Sequence, residues 1–293
     1  MSKKVLITGA TGLIGKEALA FLKNEGFEIY ATTMGNTSDK SVNWLLCNLF
    51  DDNALTKLFT EIKPDYLLNF AWITGGDYLT NEKNLLFRDA GFKMLKLFRE
   101  NGGKRAVYAG TCFEYEITPE IITEKTKINP KTLYAQCKNE LNQMCSTYAK
   151  ENGLSFEWGR IFYVFGHNEN PTRITAQILN CMRKNKVFEL GAPNNLLDYM
   201  YTKDIADAFV HLLKSDYEGC VNICTGKGIL LKDYALLIQK LCEKENLVKY
   251  DENVKSTLTC VGDNKILSQK IGFTPKYTIE SAFKEILNPD FSK

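Results

Sequence analysis

Tyr134 and Lys138, four residues apart, are the pair in this chain best suited to acid–base chemistry. A free tyrosine titrates at about 10 and is a weak acid or base at neutral pH. A nearby ammonium stabilises the phenolate and brings that value down. On a helix the two positions share one face, and residues 133–151 read as a helix. The same spacing also occurs on ordinary exposed helices, where it is only a polar pair. Thr111 follows an apolar run at 106–109 and so falls at a strand end. From there its hydroxyl can bond the oxygen on which Tyr134 acts; the plainer alternative is a loop-forming hydroxyl.

A second chemistry is written at the N-terminus. Residues 8–15 read Thr-Gly-Ala-Thr-Gly-Leu-Ile-Gly, between an apolar run and a helix. In a dinucleotide turn Gly9 permits the bend, Gly12 lets backbone approach a pyrophosphate, and Gly15 lets helix and strand pack closely. The helix N-terminus adds free N–H groups and a positive dipole end, so Thr11, Leu13 and Ile14 are candidate contacts. The spacing G-x-x-G-x-x-G departs from the commoner G-x-G-x-x-G, and a tight turn that binds nothing is the alternative. An acid at the end of the second strand would bond the adenosine ribose and favour NAD. Here the strand ends Tyr30-Ala31-Thr32-Thr33-Met34 without one. Thr32 and Thr33, with residues 36–38, can bond a 2′-phosphate, so NADP(H) is favoured and NAD(H) possible.

These side chains need a frame. Strands are expected at 5–8, 28–32, 43–46, 65–70, 106–109, 156–164 and 219–224. Helices are expected at 16–24, 51–61, 81–100, 133–151, 172–184, 201–214, 232–244 and 279–286. Such alternation means βαβ units. The expected fold is α/β: a Rossmann-type, doubly wound parallel sheet with a smaller C-terminal substrate-binding lobe. Residues 1–165 would form the dinucleotide-binding domain, rejoined by about 197–225, and residues 166–293 mainly the substrate lobe.

Composition narrows the classes. Of 293 residues, 44% are hydrophobic and 25% charged, as in globular proteins. The net charge of +2 comes without a basic tract, so neither nucleic acid nor a membrane surface is an expected partner. The nine cysteines include no C-x-x-C pair, and with two histidines no metal spacing results. They read as thiols in a reducing compartment. The first apolar run, 5–7, is too short for a secretory leader, and no stretch approaches a membrane span, so a cytoplasmic location is expected.

Taken together the motifs resemble an extended short-chain dehydrogenase/reductase of the nucleotide-sugar epimerase/dehydratase/reductase group. They are residues 8–15 (TGATGLIG), Asn69-Phe70-Ala71, 110–115 (GTCFEY), 134–138 (YAQCK), 198–208 (DYMYTKDIADA) and 221–228 (VNICTGKG). The resemblance implies that Tyr134 is the general acid or base. Lys138 would bond the nicotinamide ribose and lower the tyrosine's pKa, and Thr111 would stand where the family has serine or threonine. It further implies cofactor contacts from Asn48, Leu49, Phe70, Ala71, Trp72 and Phe162, and substrate contacts from Cys112, Phe113 and Tyr163. Residues 160–166 read Arg-Ile-Phe-Tyr-Val-Phe-Gly and lack the family's Asn-Pro. Arg173 can clamp a diphosphate or simply be a solvated arginine at a helix start. A homodimer is implied, with helices 81–100 and 133–151 paired across a two-fold axis through apolar residues such as Leu85, Leu86, Met94, Leu95, Leu141 and Met144.

Three reactions use this constellation. In the family, 4,6-dehydratases carry Asp-Glu directly after the active threonine, where this chain has Cys112-Phe113, and Glu114 reads as a surface or loop carboxylate. A 4-epimerase keeps NAD tightly bound. The acid-free second strand and the GTCFEY segment resemble the 4-ketoreductase branch more. The expected activity is therefore NAD(P)H-dependent reduction of the C4 keto group of a nucleotide-diphosphate 4-keto sugar, of 6-deoxyhexose or heptose type, in activated-sugar biosynthesis for surface polysaccharide. The alternatives are a 4-epimerase and a non-catalytic dinucleotide sensor, though a sensor would need none of Thr111, Tyr134 and Lys138.

Overall fold

Successive residues of the first strand face opposite sides of a sheet, and both sides are apolar. Val5 and Ile7 join one buried cluster with Ala18, Leu22, Phe209 and Leu213. Leu6 joins another with Leu55, Phe59, Met94, Phe98 and Leu141. A strand buried on both faces belongs in a parallel sheet sandwiched by helices. The computed structural model describes residues 3–256 and 258–288.

The chain begins β1 (Lys4–Thr8), α1 (Gly15–Asn24), β2 (Glu28–Thr33), β3 (Asn43–Leu46), α2 (Asp52–Ile62), β4 (Tyr66–Asn69), α3 (Lys83–Glu100) and β5 (Arg105–Thr111). It continues through α4 (Leu133–Glu151), β6 (Ser155–Ile161), β7 (Tyr163–Phe165), α5 (Ile174–Arg183), β8 (Phe188–Glu189), β9 (Leu196–Leu197), β10 (Tyr199–Tyr201), α6 (Thr202–Lys214) and β11 (Gly219–Ile223). It ends with β12 (Ile229–Leu230), α7 (Leu231–Leu241), β13 (Val248–Lys249), β14 (Thr259–Cys260) and α8 (Ile279–Leu287). Seven strands form the main sheet in the order β11-β6-β5-β4-β1-β2-β3, and every pairing in it is parallel. The strand order reverses between β1 and β4, the place where doubly wound sheets open a crevice at their carboxyl edge.

Local chemistry sets the ends of the key helices. Asp51 is the N-cap of α2, accepting from Asn53 and Ala54 N–H, rather than its first helical residue. Thr132 caps α4 through Ala135 N–H at 3.2 Å, and Gly153, at φ +62°, follows its end. A third buried cluster lies off the main sheet and joins α5, α7 and α8 through Ile178, Met182, Tyr234, Ile238, Phe283 and Ile286.

The single strand expected at 156–164 is two. β6 ends at Ile161; Phe162 N–H then reaches Ile223 O at 3.1 Å and Tyr163 N–H turns to Asp198 O at 3.1 Å. The chain thus leaves the main sheet, and β7 pairs with β10. The two-residue strands β8, β9, β12, β13 and β14 were not expected, being too short to carry a period.

Candidate active site

The glycine turn closes on itself before it meets anything else. Gly9 has φ +73°, and a Cβ there would lie 2.7 Å from Phe70 C and Ala71 N, so only glycine fits. A Cβ on Gly15 would overlap Gly9 O, which is why α1 can start against the turn. No side chain caps α1, whose N-cap is Ile14. Lys16 and Glu17 N–H are taken by Gly12 O and Ile14 O at 3.2 and 3.1 Å, so the N–H groups that can open toward solvent or a ligand are those at residues 13–15. A crowded glycine turn feeding an uncapped helix start fits a dinucleotide pyrophosphate.

The turn forms one end of a cavity of about 420 Å³. Every candidate site residue lines it except Asn48: Gly9, Thr11, Gly12, Leu13, Ile14, Gly15, Thr32, Thr33, Leu49, Phe70, Ala71, Trp72, Thr111, Cys112, Phe113, Tyr134, Lys138, Phe162, Tyr163 and Arg173. Asn48 is exposed, and its side chain accepts from Phe50 N–H at 3.1 Å in a local turn; Cys47 lines the wall instead. Sequence reasoning also missed Met34, Thr74, Tyr78, Phe87 and Val164. Tyr78 lies in the irregular link between β4 and α3, where no periodicity points to it.

Around Tyr134 the structure is dense. Its backbone N–H donates to Leu79 O at 3.0 Å. The rings of Tyr78 and Trp72 stand edge-on to it, with centroids 5.1 and 6.3 Å away. Trp72 is fixed in turn, its indole N–H donating to Asn84 Oδ1 at 2.7 Å, and Asn84 Nδ2 holds Tyr78 O and Asn81 O, each at 2.7 Å.

Burial pushes the Tyr134 hydroxyl well above its ordinary value, and a hydrogen bond with the Thr111 side chain is the largest opposing pull. The expected lowering by Lys138 does not prevail. Lys138 Nζ turns away to donate to Ala109 O at 2.6 Å and lies 3.9 Å from the centre of the Trp72 ring. Burial brings Lys138 itself down to about 7, with the Glu114 charge acting in the opposite direction.

Glu114 is no surface carboxylate: it is fully buried. One oxygen accepts from Thr111 N–H at 2.9 Å and from the Trp158 indole at 3.0 Å; the other accepts from Arg160 Nε at 2.7 Å. It faces beneath the cavity rather than into it, so it is no acid for water elimination. Arg173, at the N-cap of α5, is the second cation on the wall besides Lys138. Among the described residues no group of three or more His, Cys, Asp or Glu is placed to hold a metal ion. No helix among them is long and apolar enough to cross a membrane.

The sequence model of the NAD dependent epimerase/dehydratase family matches residues 5–224. A dTDP-6-deoxy-L-talose 4-dehydrogenase (NAD(+)) from Aggregatibacter actinomycetemcomitans is 26% identical, covering 83% of this chain and 91% of that protein. A GDP-6-deoxy-D-talose 4-dehydrogenase of the same organism is 24% identical, covering 96% of each. Among solved structures, the UDP-glucose 4-epimerase of Thermotoga maritima superposes with a TM-score of 0.86 at 18% identity, covering 98% of both chains. That match shows a shared fold. The glycine turn, the strand order and the matched span, which runs from β1 to the residue after β11, agree: this chain belongs to the NAD dependent epimerase/dehydratase family.

Proposed function

We propose that this protein reduces the C4 keto group of a nucleotide-diphosphate 4-keto sugar, of 6-deoxyhexose or heptose type, with NADPH as the favoured reductant and NADH possible. One observation carries the reading: Tyr134, Thr111 and Lys138 meet on the wall of a cavity whose described lining holds no Asp, Glu or His. Such a wall can pass one proton to or from one oxygen through Tyr134 and, among its described residues, presents no carboxylate of the kind the family's dehydratases use for elimination. The names of the two 4-dehydrogenase relatives place oxidation and reduction at C4 in those proteins, which supports the same chemistry here.

A bound nicotinamide supplies the hydride. Tyr134, kept protonated by its burial, gives its proton to the oxygen that becomes an alkoxide at C4. The Thr111 hydroxyl bonds the same oxygen and steadies its developing charge. Lys138 would bond the nicotinamide ribose, and Arg173 would hold the diphosphate through its two-pronged guanidinium. Residues packed in the third core, around α5, α7 and α8, would form the sugar side.

The test is a mass-resolved incubation of the protein with NADPH and GDP-, dTDP-, CDP- and UDP-4-keto sugars in parallel. One member should gain two hydrogens while NADPH is consumed in equal amount. NAD copurifying at full occupancy, with no net consumption of NADPH, would instead make the protein an epimerase. Failure of all four sugars to turn over despite NADPH binding would leave the dinucleotide sensor.

A further inference from the structure

Beneath the cavity runs a buried polar chain that the mechanism above does not use. Glu114 and Arg160 form a fully enclosed ion pair, with side chains 0% and 5% exposed. Arg160 Nη1 donates to the Tyr115 hydroxyl at 2.9 Å, and that hydroxyl donates to Asn222 Oδ1 at 2.7 Å. Asn222 is anchored to Ile122 O at 3.0 Å. Burying a charge pair is costly, and a fold that needed only packing here would be served by apolar residues. The pair also constrains the backbone beside it. A Cβ on Gly110 would overlap the Trp158 indole nitrogen and come within 2.7 Å of Glu114 Oε1, so the strand must present glycine where the carboxylate sits.

The carboxylate has two links to the reacting groups. It receives the Thr111 N–H, while the Thr111 hydroxyl receives Phe113 N–H at 3.3 Å, closing a short turn at residues 112–114 that fixes where Thr111 points. Lys138 Nζ lies 5.9 Å from the centre of the Trp158 ring, whose indole N–H donates to the same carboxylate, and the negative charge held there favours the ammonium form of Lys138. We propose that Glu114, locked by Arg160 and Trp158, is a positioning residue that holds Thr111 in place and supplies the counter-charge for Lys138 from beneath the cavity floor. The proposal rests on the reading of Thr111, Tyr134 and Lys138 as the reacting set.

The charged and titratable groups facing this centre come from each element around it. They are Tyr134 and Lys138 on α4, Cys112 and Tyr115 beside β5, Arg160 on β6, Cys220 on β11, and Glu124 in the link after β5. The charge that raises Lys138 is that of Glu114.

The experiment follows Lys138 directly in the full-length, cofactor-free protein, so it does not depend on the substrate. Lysine labelled with ¹³C at Cε is titrated by NMR, with Lys138 assigned by its loss in Lys138→Arg. Glu114→Gln preserves the shape and removes the charge, and should move the Lys138 midpoint to lower pH by about half a unit or more. Where Glu114→Gln alone does not fold because Arg160 is left uncompensated, the double variant Glu114→Gln with Arg160→Gln is compared with Arg160→Gln alone and should titrate at lower pH than it, since the two differ only in the Glu114 charge. A Lys138 midpoint unmoved by removal of the Glu114 charge in the pair of variants that folds overturns the proposal. With a turned-over substrate in hand, kcat of Glu114→Gln should fall at least tenfold with KM within threefold. The falling alkaline limb of its pH–rate profile should move to lower pH. A drop in kcat with an unmoved limb would reduce Glu114 to a structural role and overturn the counter-charge. If the NMR displacement occurs but no nucleotide sugar is reduced, the functional reading fails and the electrostatic link stands.

Discussion

At the scale of single residues, Tyr134→Phe keeps the ring, its edge contacts with Tyr78 and Trp72, and the fold. Turnover should fall by roughly 10² to 10⁴, the usual worth of a positioned acid, with NADPH affinity little changed in a fluorescence titration; near-wild-type reduction of the true substrate would remove Tyr134 from the mechanism. Thr111→Val should cost less, since the proton donor stays. Lys138→Met bears on stability as well. Lys138 lies at about 7 in the folded chain against 10.5 when free, so between those values the unfolded chain holds a proton that the folded one has released. Stability from this group therefore rises with pH across that window and is lost as pH falls toward 7. Urea unfolding of wild type and Lys138→Met at pH 7 and pH 9.5 should show the wild type gaining on the variant at the higher pH. Cofactor choice is a residue-scale question too. No carboxylate lines the cavity near Thr32 and Thr33, but the Thr33 hydroxyl is already engaged with Gly35 O at 2.9 Å. NADP(H) should bind several-fold more tightly than NAD(H) by titration, and equal affinities would refute the preference. Tyr134, Lys138 and the glycines were legible because their relation is local, set by a helical turn or a tight bend. Glu114 was not, because what buries it, Trp158 and Arg160, lies more than forty positions away and meets it through the pairing of β5 with β6.

At the scale of elements, the same distinction between local and distant causes decides what could be read. The bounds of α4 come out at Leu133–Glu151 as its spacing indicates, because a threonine cap and an apolar face define it from within. The division of β6 from β7 could not be read, because it is imposed by two other strands that compete for the chain. Arg105 shows how one side chain ties such elements together. Buried at the start of β5, it donates to Leu212 O from Nε at 3.0 Å, to Ser155 Oγ at 2.7 Å, and to Ser215 Oγ and Tyr217 O at 3.0 and 2.9 Å, and pairs with Glu157. It thereby fastens the end of α6 and the link into β11 to the middle of the sheet. Burial pushes Glu157 upward and the guanidinium beside it pulls it back down, while its Oε1 has no hydrogen-bond partner. Arg105→Met should destabilise the fold by about 3–5 kcal/mol, the typical cost of stranding one member of a buried pair. Adding Glu157→Leu should recover most of that loss in a denaturant melt, and no recovery would show that the hydrogen bonds to α6 matter more than the charge.

At the scale of the whole molecule, the open question is how α3 and α4 meet their surroundings. The sequence suggested a broad apolar surface on both, but the structure divides it. Met94, Leu95 and Leu141 are spent inside the chain, in the cluster beneath the sheet. Leu85, Leu86 and Met144 remain 38%, 48% and 39% exposed. The periodicity could not separate these sets, because two helices that pack on each other as well as on a sheet bury a wider stripe than one face needs. Single exposed apolar residues are ordinary; three on two adjacent helices make a candidate for self-association, and a two-fold axis would place the same patch on both partners. We expect a homodimer through the Leu85, Leu86 and Met144 surface, with twice the chain mass by light scattering at micromolar protein. Leu86→Glu with Met144→Glu should convert it to a monomer that keeps its circular dichroism and NADPH affinity, since neither residue lines the cavity. A wild type that is monomeric at that concentration would dismiss the dimer. A double variant that stays dimeric would move the interface to another face.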